Sequence, residues 1–371
     1  MNARKVWRSA LLKAGAFLLF TVCLAFSAIA QRYWDINGSA SGASSSNTAP
    51  GTWGVNNFWS TSSAGTAATT AWTSGQQAIF SAGGNATGTF TVGVSGNQSV
   101  SGILFEDGNV TLSGGTITLT SGVGNGVVSV ASTNLATIAS QVAGGTGLTK
   151  TGTGTLLLSG TNIFSGVTDL QQGTLLVTKP SSLGSSILNL DGGNFAGAGA
   201  PITVDNDVVI SSDSTIGGSQ NLTFSGNVSA AGGARTLTIN NSGQTAFTGA
   251  TLSLGDPNRR GRLTLDISGG PVSISSVIQN GVGARPDSLI KAGSGTLTLT
   301  GNNTFTGPLQ LNAGTLFLGT DSAAGAGQLV LADGVTIGAT SGPRIISNQL
   351  TINGDVTFIG PDSHPRGSDR G

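Results

Sequence analysis

Three aspartates and three arginines are the side chains whose types and spacing come nearest to chemistry. Asp205, Asp207 and Asp213 fall within "VDNDVVISSDS", and Arg259, Arg260 and Arg262 within "DPNRRGR". Clustered carboxylates with a basic neighbour can ligate calcium through oxygen, or divide into the acid and the base that break a glycosidic bond. The blander reading of both segments is stronger. Asp205 and Asp207 flank Asn206 at a turn, where Asx side chains bond the local backbone, and the arginine run reads as a solvated loop that interrupts the pattern around it. The rest of the catalytic inventory is poor. No cysteine follows Cys23, so there is no thiol nucleophile, and the one histidine, His364, sits in the last eleven residues, where it gives no Ser-His-Asp arrangement a base. Zinc lacks ligands. Glycine steps such as "GTGTG" are followed by no helix whose N-terminus could meet a phosphate. The sequence therefore predicts no catalytic residue, no cofactor and no metal.

Composition sets the elements that must hold any site. Of 371 residues 60 are glycine, charged residues are 9%, aromatics 5%, and the 37% apolar share is mostly aliphatic. Low charge argues against disorder, and glycine without a Gly-X-Y period is not collagen. Short strands joined by tight turns remain. "VTLSGGTITLTSG" puts Val110 and Leu112 on one face, turns at Gly114 and Gly115, and then puts Ile117 and Leu119 on one face with Thr116, Thr118 and Thr120 opposite. "RTLTIN", "GRLTLDIS", "GTLTLTG" and "NQLTING" repeat this grammar. No helical stripe is found, and Glu106 is the only glutamate.

Residues 1–30 read as a secretory signal peptide. Arg4, Lys5, Arg8 and Lys13 precede an apolar stretch from Ala14 to Phe26, and Ala28-Ile29-Ala30 supplies a small-x-small cleavage site. Val22 stands before Cys23 where a lipid-modified cysteine needs a small residue. The sequence beyond residue 30 has more acids than bases and only three lysines, Lys150, Lys179 and Lys291, which excludes a nucleic-acid footprint. No later apolar run is long enough for a membrane helix. An exported chain without disulfides must be held by continuous hydrogen bonding and packing.

Residues 31–76 hold Tyr33, Trp34, Trp53, Trp59 and Trp72, every Trp and Tyr beyond the leader. They are expected to close one end of a longer structure, a use preferred here over a sugar-stacking platform. The strand grammar fills 77–360. Within it "LTKTGTGTLLLSGTNIFSGVTDLQQGTLLV" (148–177) lies over "LIKAGSGTLTLTGNNTFTGPLQLNAGTLFL" (289–318) at an offset of 141, with fifteen of thirty positions identical. The shared residues include Lys150/Lys291, Gly152/Gly293, Gly154/Gly295, Leu156/Leu297, Leu158/Leu299, Gly160/Gly301, Asn162/Asn303, Phe164/Phe305, Gly166/Gly307 and Gly173/Gly314. A looser echo, "RTLTINNSGQTAFTG", places Leu237, Ile239 and Phe247 in comparable roles. Glycines turn the chain or admit a neighbouring backbone, leucines point inward, the phenylalanine fills a wider corner, and the asparagine bonds turn backbone or stacks on the equivalent position of the next coil. One unit cannot bury its apolar face alone; a stack of them can, which is the physics of a solenoid.

The unit L-x-K-x-G-x-G-T-L-x-L-x-G-x-N-x-F-x-G…G-T-L resembles the autotransporter-associated β-strand repeat, also called the passenger-associated transport repeat. The opening from Tyr33 to about Leu119 is similar to the N-terminal part of large bacterial proteins that carry it. The resemblance implies an all-β chain, a right-handed parallel β-helix (β-solenoid) with an aromatic-rich N-terminal cap segment. It implies a surface-exposed or secreted passenger, with repeats that serve folding and transport. The expected function is a structural scaffold or adhesin. Its partners are unknown, with surface glycans, matrix or other cells as the classes to consider, and a membrane is met only through a barrel or anchor absent from this sequence. A glycan-active lyase or hydrolase on the same fold is the alternative, and a passenger fragment without activity of its own is another. After residue 320 no run of barrel-like strands follows. "PDSHPRGSDRG" (361–371) breaks the strand grammar, and a disordered or frame-disrupted tail is expected there.

Overall fold

The computed structural model describes residues 30–120, 126–255, 259–283 and 285–360. The expected leader, apart from Ala30, and the 361–371 segment with His364 lie outside them. The described residues form short strands that climb one above another, with a single 3-10 turn at Pro180–Leu183. A 12-stranded sheet makes the first side and a 14-stranded sheet the second, so the chain rises through about thirteen turns. A three-stranded sheet (Asn97–Val100, Thr116–Leu119 and Gln141–Ala143) and then an eight-stranded one from Ile202–Val204 to Val356–Ile359 make the third side. With strands stacked about 4.8 Å apart, the stack is about 60 Å tall.

Alternation does most of this work. In Asn109–Ser113 and Thr116–Leu119 the apolar residues are buried and Thr111, Thr116 and Thr118 face outward, as the pattern predicts. Because parallel neighbours keep register, the inward residues form columns such as Val128, Lys150, Leu170 and Leu190 on the first side. One continuous apolar core results.

The aromatic block sits at the start of the stack and turns inward. Trp34, Trp53 and Trp59 are fully buried, and Trp59 lies 5.1 Å from Trp53 and 4.6 Å from Trp72, centroid to centroid. The Trp34 indole N–H donates to the Ala49 carbonyl at 2.7 Å. Trp59–Ser60 runs antiparallel along the edge of Gln31–Trp34, unlike the parallel pairing elsewhere among the named strands. At the other end Leu350, Ile352 and Phe358 are exposed although they continue interior columns, and Ile359 is exposed on the outward face.

The two repeats do not occupy the same sides. In the first, Leu148–Thr151 lies on the first side and Thr155–Leu158 on the second. In the second, Ser288–Ala292 lies on the second side and Thr296–Leu299 on the third. From Leu148–Thr151 the first sheet climbs six rungs to Val277–Gln279, and one further side brings the chain to Ser288. The repeats are therefore six turns and about one third apart.

Candidate functional site

Each repeat makes a short coil. Register partners are twenty residues apart at Leu148 and Thr168 and nineteen at Thr155 and Thr174, against twenty-eight at Ala234 and Arg262. The saving comes on one side, which residues 159–166 and 300–308 cross without a strand. Phe164 and Phe305 fill the interior there, fully buried, and Leu156, Leu158, Leu297 and Leu299 line the adjoining core. Gly154, Gly160, Gly166, Gly295, Gly301 and Gly307 sit where an added Cβ would strike backbone of the preceding coil. The looser echo behaves alike: Leu237, Ile239 and Phe247 are buried, and the Phe247 ring stacks on Phe224 at 5.2 Å.

Asn162 joins three coils. Its Oδ1 accepts the Val142 N–H at 2.8 Å, and its Nδ2 donates to the Ser182 carbonyl at 2.6 Å. Asn303 does the same with the Ile278 N–H at 2.8 Å and the Ala323 carbonyl at 2.6 Å. One coil further, Asn206 donates to the Gly184 and Ser186 carbonyls, and Asn348 to those of Gly325 and Gly327.

The lysines are the residues whose role the sequence reading left unassigned. Lys150 and Lys291 are 0% exposed and stand in interior columns between aliphatic neighbours, Val128 and Leu170 for one, Leu265 and Leu311 for the other. Alternation held the signal, since Lys150 follows inward Leu148 by two positions. The Lys150 Nζ donates to the carbonyls of Thr151 at 2.8 Å, Gly152 at 2.7 Å and Gln172 at 3.1 Å. The Lys291 Nζ donates to Ala292 at 2.8 Å, Gly293 at 2.6 Å and Ala313 at 3.1 Å. Two carbonyls come from the lysine's own corner and the third from the coil above. Gly152 and Gly293, at φ 70° and 71°, and Gly173 and Gly314, at φ 68° and 74°, hold both corners in the left-handed region that a side chain resists. Burial pushes each ammonium down to about 8, with Asp266 partly offsetting this at Lys291, so both are charged at neutral pH.

Beside each repeat an open groove follows. One, of about 580 Å³, is lined by Pro180, Ser181, Ser185, Asp205 and Asp207. The other, of about 610 Å³, is lined by Asn302, Thr320, Asp321, Ser322 and Arg344. Pro180 and Ser181 correspond to Asp321 and Ser322 at the repeat's own offset, so the grooves are equivalent in build while differing in charge.

The aspartates and arginines are not assembled into one centre. The Asp205 Oδ1 accepts from the Ser225 Oγ at 2.6 Å, the Asp207 Oδ1 from the Asn227 N–H at 2.8 Å and the Asp213 Oδ1 from the Thr236 N–H at 2.7 Å, each reaching the coil above. Arg260 and Arg262 line a separate groove with Ala234, Pro286 and Ser288, and Arg259 is exposed. Among the described residues no three His, Cys, Asp or Glu side chains gather as a metal site, and no helix is long and apolar enough to cross a membrane.

Comparison with known proteins agrees with this build. The family model of the passenger-associated-transport-repeat matches residues 148–177 and 289–316. The chain is 31% identical over 399 aligned residues to "Adhesin BmaC autotransporter" of Brucella suis biovar 1 (strain 1330), an alignment covering 92% of this chain and 11% of that protein. No solved structure matches significantly. The chain spans about a tenth of that relative's length. Two passenger-associated-transport repeats are thus carried by this chain, set in a parallel β-solenoid.

Proposed function

We propose that the chain is a stretch of an exported, autotransporter-type adhesin passenger, a structural solenoid that presents its outer surface to other cells, matrix or glycans and catalyses nothing. The observation that carries this reading is likeness to an adhesin autotransporter along nearly the whole chain. The use of the repeated side chains supports it: lysine, asparagine, phenylalanine and glycines are spent on corners and core, where a ligand does not reach. The leader-like residues 1–30 support export. The grooves beside the repeats are concave surfaces open to a partner.

The test is surface display. Residues 31–371 are fused to an unrelated outer-membrane barrel in a non-adherent bacterium, and attachment to cultured cells and matrix-coated plates is counted. Attachment above the empty display strain is expected. Equal attachment would reduce the chain to an inert stalk, and a glycan-cleaving activity abolished by Asp205→Asn with Asp207→Asn would replace the reading with an enzyme.

A further inference from the structure

The interior strands of this solenoid are nearly interchangeable. Leu156 and Leu158, Leu175 and Val177, Leu237 and Ile239, Leu297 and Leu299, and Leu316 and Leu318 all present two aliphatic residues two apart to the core. Side chains alternate with period two, so a strand that slips by two residues on its neighbour keeps every apolar residue inside. Hydrophobic burial alone therefore discriminates weakly between registers. The lysines do discriminate. A two-residue slip moves the carbonyl of the coil above by about 6–7 Å. The Gln172 carbonyl would leave Lys150, and the Ala313 carbonyl would leave Lys291, with the ammonium still in an aliphatic column.

We propose that Lys150 and Lys291 are register keys, interior positioning residues that admit the following coil only when its corner carbonyl completes the cage. The inference stands on the cage geometry and is independent of whether the chain adheres to anything. A buried charge contributes little net stability but makes the wrong arrangement expensive, because there it is left without partners. The placement fits. Each key precedes the coil that must begin a new short turn, and each is seated at a corner bounded by two left-handed glycines.

The experiment uses the chain from residue 31, which contains no cysteine. Thr155→Cys with Thr174→Cys marks the observed register, since these are paired neighbours. Thr155→Cys with Leu176→Cys marks the slipped one, whose Cα separation of about 8 Å in the observed register is too long for a disulfide. After refolding and mild oxidation, the chain with Lys150 should crosslink the first pair alone. With Lys150→Met the slipped pair should rise by about tenfold or more. A Lys150→Ala chain refolded in ethylammonium chloride should return to the single register, and the same concentration of sodium chloride should not restore it. Thr296→Cys with Thr315→Cys, or with Phe317→Cys, repeats the test at Lys291. A Lys150→Met chain that refolds with the first pair alone overturns the proposal. So does one that folds in neither register and is not recovered by ethylammonium as Lys150→Ala, because the lysine would then be a strut and not a key.

Discussion

An alkylammonium carries three N–H donors and each cage offers three carbonyls, so donors and acceptors match only while the lysine is charged. Burial nevertheless favours the neutral amine, pushing both groups down to about 8 from an ordinary value of about 10.4. Between those two pH values the unfolded chain binds protons that the folded chain has released. Stability to unfolding should thus rise across that window, by up to about 1.4 kcal/mol per pH unit for each lysine, and level off above it. Urea unfolding of the native chain and of a Lys150→Met, Lys291→Met double variant checks this: the variant should lose that rise. Asp35 has the opposite sign. It is fully buried, its Oδ1 accepts the Asn37 N–H at 3.0 Å, its Oδ2 has no partner, and desolvation raises its pKa. Its ionisation costs stability as pH rises through the raised value, so Asp35→Asn should gain stability at pH 7 and none below pH 4, by the same urea titration.

At the scale of the coil, amide side chains do for loops what ladders do for strands. Asn162 answers a buried N–H below and a carbonyl above, so Asn162→Ala should cost about 2–4 kcal/mol in denaturant unfolding. Asn303→Ala should cost the same, whereas Asn302→Ala, at an exposed residue whose Oδ1 accepts from the Ser322 Oγ, should change stability by less than about 0.5 kcal/mol. Strand positions and inward faces were legible from alternation, as Val110, Leu112, Ile117 and Leu119 illustrate. That the asparagine serves the backbone was legible too, but its bonds to the coil below and the coil above were not. What the sequence hid was the third side of the short coils, where "SGTNIFSG" has no period to read, and the shift of one side between the repeats. That shift accumulates from coils of nineteen to twenty-eight residues whose lengths depend on loops. The aspartates were weighed as a cluster and read as turn residues; Asp205, Asp207 and Asp213 are near in sequence, yet each is bonded to backbone or hydroxyl one coil up, and Arg260 and Arg262 line another groove.

Over the whole molecule the two ends differ. The start is plugged by packed indoles and edged by an antiparallel strand, while the far coil exposes Ile345, Leu350, Ile352, Phe358 and Ile359, the last two lining an apolar recess of about 340 Å³. Exposed apolar strand edges lower solubility. Leu350→Lys with Phe358→Lys should raise the concentration at which the chain stays monodisperse in light scattering, and Trp34→Ala should not, because it opens a core cavity costing about 3–5 kcal/mol. The offset of six turns and one side between the repeats has its own outcome. A lysine corner, an asparagine loop and a groove are built equally well facing any direction around the axis, so the distance between repeats is not tied to whole turns. Gaining or losing about seven residues between them, one strand and its bend, swings everything downstream through roughly 120° while leaving the core columns filled. Short insertions and deletions thereby act on this chain as a change of azimuth, and the heading of the second groove can be altered without altering the groove.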